Sequence, residues 1–204
     1  MRVLLISANT ELINMPVLPL GLAYVAAAAD TQGHTVKMLN LMMQTDTQKA
    51  LHKAIVDCNP EIIGISVRNI DDQKMENPRF LLGAVKEVVA HCRKLSHATI
   101  ILGGAGFSIF PQVTLDFLGA DIGLQGEGEN SFLTLLERLR DKTDLSEIPG
   151  LCLPGRTSRS ESGHIKSLRD VKLPLPVVHL LTPSNLEGKE VWIPFQTRRG
   201  CPLD

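Results

Sequence analysis

The residues whose types and spacing could support chemistry in this chain are glycines rather than nucleophiles. Gly103, Gly104 and Gly106 directly follow Thr99-Ile-Ile-Leu102, an uncharged, largely β-branched stretch typical of a strand covered on both faces. Glycine has no Cβ, so main chain can approach a ligand closely there, and open α/β sheets bind ligands at the carboxyl ends of their strands. The pattern favours a cleft in which a flat or elongated cofactor lies against main chain. A tight turn without any ligand is the alternative that this stretch alone leaves open.

The familiar motifs for nucleotide binding and catalysis are absent from the sequence. There is no P-loop lysine motif, and no Gly-x-Gly-x-x-Gly follows the first predicted strand. The loop after that strand carries Asn9, Thr10 and Glu11 but no histidine or cysteine, which argues against a metal or redox role there. The six histidines lack metal-ligand spacing, so solvated or structural roles are favoured for them. The residues alone predict a small-molecule cleft above strands one, three, four and five.

Composition excludes several classes of partner. With a net charge of −1 and an aromatic content of 4%, the chain has neither the basic field nor the stacking platforms typical of nucleic-acid binding. Its most apolar stretch, residues 15–29, is too short and too interrupted by proline and glycine to span a bilayer. Four widely separated cysteines and the lack of a secretory signal predict a reducing, cytoplasmic location.

The elements that would position these residues alternate regularly along residues 1–143. Five strand–helix alternations predict a doubly wound α/β domain, flavodoxin-like or Rossmann-like, with a five-stranded parallel sheet and right-handed crossovers. The predicted strands are 1–7, 34–39, 61–66, 99–102 and 120–124. The predicted helices are 19–31, one capped by Asp46 or Thr47, one starting at Asn77-Pro78, 108–118, and one carrying Phe132, Leu135, Leu136 and Leu139.

The character of the chain changes after residue 143. Residues 144–189 are rich in proline and are predicted to be a linker, in which Gly150–Leu153 and His164–Lys166 pair as a small hairpin. Residues 190–204 begin with a predicted strand, Glu190–Thr197, that has nothing to pair with. We therefore expect this last stretch to be the first strand of a domain whose remainder is missing.

Several short motifs together resemble one known family. They are Pro19-Leu-Gly-Leu-Ala-Tyr-Val-Ala-Ala-Ala28, Gly33-His34, Ile63-Gly-Ile-Ser66, Gly103-Gly104 and Gly126-Glu-Gly-Glu129. In this order and at these distances they resemble the cobalamin-binding domain that precedes radical S-adenosylmethionine enzymes. Thr197-Arg-Arg-Gly-Cys-Pro202 resembles the entry to the radical domain's cluster motif, so Cys201 would be the first of three cysteine ligands of a 4Fe–4S cluster in the full-length protein.

The resemblance implies a cofactor and a site. In this family the corrin of cobalamin lies over the carboxyl ends of the strands, and its nucleotide tail, with the base detached from cobalt, inserts beside them. Ser66 matches a serine that bonds the tail, Gly103 and Gly104 match glycines that make room for it, and Gly126, Glu127 and Gly128 match a turn bordering it. The residues expected to bind the cofactor are Asn9, Thr10, Glu11, Ser66, Val67, Arg68, Asn69, Gly103, Gly104, Gln125, Gly126, Glu127 and Gly128.

The sequence departs from the methionine-synthase-like pattern in one respect. Those domains place Asp-x-His-x-x-Gly after the first strand, and its histidine binds cobalt from below, whereas Ser7–Leu12 contains no histidine. Our hypothesis is that Arg68 or the Asn9–Glu11 loop faces the lower side of cobalt. Arginine stays protonated and is a poor ligand, so cobalt would lack a strong donor there. A surface ion pair of Arg68 with Asp71 or Asp72 is the open alternative.

The resemblance also implies a parent enzyme, either a methyltransferase or a relative of tetrapyrrole cyclases. Its partners would be its own C-terminal radical domain, S-adenosylmethionine and a 4Fe–4S cluster. The 204-residue chain alone is not expected to catalyse, because one cluster cysteine cannot hold four irons. Two other functions stay open: a flavodoxin-like module for a nucleotide or flavin, and a domain that has lost its ligand and serves as a scaffold.

Overall fold

A computed structural model describes residues 1–11, 17–156, 194 and 196 of the chain. The strands are β1 Arg2–Ser7, β2 Thr35–Asn40, β3 Ile62–Ser66, β4 Thr99–Gly103, β5 Ile122–Leu124 and β6 Leu151–Cys152. The helices are α1 Leu20–Thr31, α2 Thr47–Cys58, α3 Leu82–Leu95, α4 Ala105–Ile109, α5 Pro111–Leu118 and α6 Gly128–Asp141, with a 3-10 turn at Leu41–Met43. Strands and helices alternate as expected for a doubly wound α/β fold.

The strands form one sheet in the order β2-β1-β3-β4-β5-β6. The first five run parallel, and β6 pairs antiparallel with β5. The predicted doubly wound fold is therefore confirmed, with the strand order of flavodoxin-like sheets. In such sheets the order reverses between β1 and β3, and ligands bind outside the carboxyl ends of the strands at that point.

The sixth strand corrects the predicted count of five. Leu151–Cys152 lies in the segment expected to form a hairpin, and it pairs with β5 of the main sheet. Gly150 turns the chain back: its φ is +74°, and a Cβ there would lie 2.2 Å from the Gln125 carbonyl oxygen. The amide of Gln125 donates to the Gly150 carbonyl at 2.8 Å. Three further predictions lie outside the described residues: the hairpin partner His164–Lys166, the cluster ligand Cys201, and the strand at 190–197, of which only Pro194 and Gln196 are described.

Each face of the sheet is covered by its own helices, because alternate strand residues point to opposite sides. One core joins Leu4, Ile63, Ile100 and their neighbours to α2, α3, α4 and α5. The other joins Leu5, Ile62, Ile101 and Leu124 to α1 and α6. The second face carries the candidate site, since Ser7, Ser66 and Gly103 are its last residues on β1, β3 and β4.

Two helix predictions are wrong in detail. α3 begins at Leu82 rather than at Asn77-Pro78, because an isolated bridge between Asp71 and Phe80 holds the preceding residues in a loop. The helix expected over 108–118 is two helices, α4 and α5, with Pro111 at the start of the second. Proline lacks an amide donor and cannot continue a helix. The predicted cap of α2 is confirmed: Asp46 accepts from the Lys49 amide at 2.9 Å.

Candidate cofactor site

A deep cleft opens at the carboxyl edge of the sheet, on the face covered by α1 and α6. Its volume is about 790 Å³, and residues of β1, β3, β4 and β5 form its floor. The walls are the N-terminal part of α1, the turn after β4 and the start of α6. The cleft therefore lies at the switch point where this strand order favours ligand binding.

Small residues end three adjacent strands on the floor of this cleft. Ser7 pairs in register with Ser66, and Ser66 pairs with Gly103. One step deeper, Gly64 lies between Leu5 and Ile101, and a Cβ on Gly64 would lie 2.6 Å from Leu5 Cδ2. The Leu5 side chain thus fills the space beside Gly64, whereas the short hydroxyls of Ser7 and Ser66 and the missing side chain of Gly103 leave room over the strand ends.

The neighbouring glycines of the turn after β4 serve different purposes. A Cβ on Gly103 would meet only the Leu124 carbonyl oxygen, at 3.6 Å, which is an ordinary contact. Gly104 has a φ of +100°, and a Cβ there would lie 2.6 Å from the Val67 carbonyl oxygen. At Gly106 it would lie 2.8 Å from the Arg68 carbonyl oxygen. Gly104 and Gly106 thus let α4 approach the end of β3, whereas the bare side of Gly103 faces the cleft.

The turn after β5 forms the adjoining wall. The lining residues of this wall are Gly126, Glu127, Gly128 and Glu129 of α6. Glu129 is buried, at 5% exposure. Gln125 lies behind this wall, with its side-chain amide donating to the Ser108 carbonyl at 3.3 Å. The acidic side chains make the otherwise apolar cleft polar at this end.

The loops after β1 and β3 divide the predicted residues between two cavities. Asn9 and Arg68 line both the cleft and a second cavity of about 240 Å³. Thr10, Glu11, Val67 and Asn69 line only the second cavity. The Val67 side chain is part of the core, at 1% exposure, and the Glu11 carboxylate is paired with the Arg79 guanidinium. The structure thus brings eight of the thirteen predicted residues to the cleft: Asn9, Ser66, Arg68, Gly103, Gly104, Gly126, Glu127 and Gly128.

Arg68 is exposed and forms no ion pair with any residue that the structure describes. Asp72, one of its expected surface partners, lies beside Arg79 at 3.8 Å and Lys74 at 3.9 Å. Asp71, the other, accepts a hydrogen bond from the Gln73 amide at 2.9 Å. The guanidinium of Arg68 is therefore available at the rim shared by the two cavities.

Sequence reasoning missed one wall of the cleft. Residues 17–22 and Val25, at the start of α1, line it, together with Ser7, Gly64, Phe132, Pro194 and Gln196. The stretch from Pro19 carries the family resemblance, but it was not predicted to line the site. The available signal was its small, apolar composition immediately after the loop that follows β1.

Metal-ligating side chains do not surround the cleft in the described part of the chain. No histidine or cysteine is among its lining residues, and no group of three or more His, Cys, Asp or Glu there could hold a metal ion. Cys58, Cys92 and Cys152 are buried free thiols, and burial raises the pKa of Cys92 to about 12. None of the helices within the described ranges is both long and apolar enough to cross a bilayer.

The arrangement suits the binding of a cofactor-sized group. Apolar side chains and bare main chain would enclose a flat or extended group, and a few polar side chains line the cleft, as in other cofactor sites. Ser7, Ser66 and Asn9 offer neutral hydrogen bonds, Glu127 and Glu129 negative charge, and Arg68 positive charge. No nucleophile with an adjacent base is present among the described lining residues.

Comparisons with known proteins agree with this geometry. Residues 6–136 match a family model described as "B12 binding domain". The chain is 29% identical to tryptophan 2-C-methyltransferase of Streptomyces laurentii over 157 residues, covering 74% of this chain and 26% of that enzyme. It is 27% identical to cytidylyl-2-hydroxyethylphosphonate methyltransferase of Streptomyces wedmorensis over 189 residues, covering 84% of this chain and 32% of that enzyme.

A solved structure shares the fold. The radical S-adenosylmethionine methyltransferase TsrM from Kitasatospora setae, with cobalamin and a 4Fe–4S cluster bound, matches with a TM-score of 0.69 at 26% identity. The match covers 79% of this chain and 31% of that chain. This chain therefore spans about a quarter to a third of the length of these relatives.

Proposed function

This chain belongs to the B12-binding domain family, and from that premise we propose that its cleft holds cobalamin for a radical S-adenosylmethionine methyltransferase. The observation that carries the proposal is the cleft of about 790 Å³ at the switch point. The strands of its floor end in the short side chains of Ser7 and Ser66 and in the bare main chain of Gly103. Such a slot suits a long, partly apolar group inserted between α1 and α6.

The residues present fit cobalamin. Gly103 supports this. No atom of the protein lies close enough to exclude a side chain at this position, and the missing Cβ opens the cleft. We propose that the nucleotide tail lies over Gly64 and Gly103, that the Ser66 hydroxyl bonds it, and that Gly126, Glu127 and Gly128 border it. Cobalamin, when bound, supplies a cobalt ion that can carry a methyl group between a donor and an acceptor. The chain's own task is to orient the cofactor and exclude water from its tail.

Arg68 is proposed to face the lower side of cobalt, with Asn9 beside it. Both residues lie at the rim that joins the two cavities, and Arg68 has no ion-pair partner among the described residues. A guanidinium has no lone pair to donate to a metal at neutral pH. Its position would keep a strong donor away from that side of cobalt, and no histidine among the described lining residues replaces it.

The whole enzyme is proposed to be a methyltransferase, because two curated relatives carry that name. This favours methyl transfer over the cyclase-like alternative.

The remaining length of the relatives agrees with a C-terminal radical domain that binds S-adenosylmethionine and a 4Fe–4S cluster, with Cys201 as the first cluster ligand. We further propose that the domain continues past residue 143 to include β6, that a division lies near residue 189, and that the location is cytoplasmic, which suits the free thiols of Cys58, Cys92 and Cys152.

Titration of the purified chain with hydroxocobalamin tests the proposal. We expect saturable binding and a visible-band shift of the kind that accompanies detachment of the base from cobalt. Flavin uptake without a cobalamin shift would support the flavodoxin-like alternative, and binding of neither would support a scaffold that has lost its ligand.

In the same titration, Arg68→Ala should change the visible spectrum. An unchanged spectrum and affinity would remove the role of Arg68 alone.

A further inference from the structure

Ser108 lies outside the cleft but connects two of its walls. Its hydroxyl donates to the Gly104 carbonyl at 2.9 Å and accepts from the Gly126 amide at 2.9 Å. Its main-chain amide also donates to the Gly104 carbonyl at 3.0 Å, and its carbonyl accepts from the Gln125 side chain at 3.3 Å. One residue is thus bonded to the turn after β4 and to the turn after β5.

These two turns need a connection because the strand pairing stops before them. The register of β4 with β5 covers only Ile101 with Ile122 and Leu102 with Gly123. Beyond it the chain passes through Gly104 at a φ of +100° and Gly126 at a φ of +87°. Glycines provide no side chains to hold such turns, and they leave the main chain more freedom than other residues do.

Ser108 is itself held firmly. It follows Phe107, which is fully buried against β5. Gly123 makes room for that ring, since a Cβ there would lie 2.2 Å from Phe107 Cζ. Pro111 then separates α4 from α5. The position of the Ser108 hydroxyl is therefore set by core packing rather than by the turns that it joins.

We propose that Ser108 is a positioning residue of the cofactor site, which fixes the spacing between Gly103–Gly104 and Gly126–Gly128 before the cofactor binds. The inference rests on the proposed function. A cleft whose walls are already placed loses less conformational freedom on binding, and this increases affinity. Removing the hydroxyl should weaken binding although Ser108 touches no ligand.

The test compares Ser108→Ala with Ser96→Ala in the 204-residue chain. Ser96 is a matched control, because its hydroxyl also accepts a main-chain hydrogen bond, from the Ala98 amide at 3.0 Å, but at the opposite end of β4. We expect the dissociation constant for hydroxocobalamin to rise about tenfold in Ser108→Ala and to stay within about twofold of wild type in Ser96→Ala. Without cofactor, the Gly126 amide should exchange hydrogen about tenfold faster in Ser108→Ala only.

The outcomes separate this inference from the proposed function. A wild-type chain that does not bind hydroxocobalamin would overturn both. Wild-type binding with an equally tight Ser108→Ala variant would overturn the role of Ser108 alone, as would an equal loss of affinity in Ser96→Ala. If Ser108→Ala does not fold, Ser108→Cys takes its place, since a thiol is a much weaker hydrogen-bonding group. Ser108→Thr, which keeps the hydroxyl, should bind as wild type does.

Discussion

Gly103 and Gly104 are adjacent in the chain, yet the space around them differs completely. Gly103 has ordinary strand geometry and faces the cleft, whereas Gly104 has a φ of +100° and lies against the Val67 carbonyl. A side chain at Gly104 would be strained whatever the surroundings, and it would also displace main chain that accepts from the Gly106 amide at 3.0 Å. The protein's own backbone therefore explains the glycine at 104, whereas no contact within the described residues requires a glycine at 103.

Alanine substitutions separate the two explanations. Gly103→Ala should leave the free energy of unfolding within about 0.5 kcal/mol of wild type, yet weaken hydroxocobalamin binding about tenfold or more because its methyl group enters the cleft. Gly104→Ala should lower the free energy of unfolding by about 2 kcal/mol or more through backbone strain and steric overlap. Urea denaturation and a cobalamin titration of both variants provide the measurements. Equal affinities of wild type and Gly103→Ala would show that the cofactor does not lie over Gly103.

At this scale, the sequence predicted only part of the floor of the cleft. Ser66 and Gly103 were expected at the site, but Ser7 and Gly64 were not, although both line it. Their contribution depends on the pairing register, which aligns Ser7 with Ser66 and Gly64 with Leu5. Counting back two residues from Ser66 would have placed Gly64 on the same face. Contacts made by Glu11 could not be read in this way, because its partner Arg79 is far away in sequence.

Among the elements, the loop between β3 and α3 is the one that the sequence predicted least well. Asn77-Pro78 has the composition of a helix start, but Asp72 gives these residues a different structure. Its carboxylate accepts from the amides of Lys74 at 3.4 Å and Arg79 at 2.9 Å. Arg79 also pairs with Glu11, so this loop and the loop after β1 are joined at the second cavity. Hydrogen bonds to the Asp72 carboxylate and the ion pair of Arg79 with Glu11 thus override a local capping signal.

Asp72→Ala should loosen this loop without unfolding the domain. The variant lacks the acceptor for two main-chain amides, so we expect amides 73–81 to exchange hydrogen roughly tenfold faster. Arg79→Met is the control that keeps the carboxylate, and its effect should be smaller because the Arg79 side chain is 58% exposed. Hydrogen exchange followed by mass spectrometry measures both. Unchanged exchange in Asp72→Ala would mean that the loop is held by other contacts.

The effect of Asp72 should also depend on pH. The hydrogen bond from the Arg79 amide is the main cause that lowers the pKa of Asp72 from its ordinary value of 3.8. A carboxyl group whose pKa is lowered in the folded state contributes fully to the stability of that state at pH values above its unfolded-state pKa. This contribution is lost as the pH falls through the folded-state pKa. The difference in amide hydrogen exchange between wild type and Asp72→Ala should therefore persist at pH 5 and disappear only well below pH 3.8.

In the whole molecule, the cleft is assembled from segments that are distant in sequence. α1 and α6 cover the same face of the sheet and pack against the same core, while β1, β3, β4 and β5 end beneath them. The alternating pattern was sufficient to predict this doubly wound architecture and the edge at which a ligand binds. It could not predict the α1 wall or the sixth strand, because both depend on how separate elements pack. A ligand in the cleft would contact the sheet and the helix layer formed by α1 and α6.

Cofactor binding should consequently stabilise the entire domain rather than one loop. A ligand that binds only the folded state, at a free concentration of 100 times its dissociation constant, raises the free energy of unfolding by about 2.7 kcal/mol. We expect hydroxocobalamin to produce this increase in urea denaturation followed by circular dichroism, with a single transition in its presence. Gly103→Ala, which should fold as wild type does, is the matched control; with about tenfold weaker binding it should gain only about 1.4 kcal/mol or less at the same cofactor concentration. A cobalamin-induced increase of equal size in Gly103→Ala, or none in wild type, would contradict a cofactor seated across the sheet between α1 and α6.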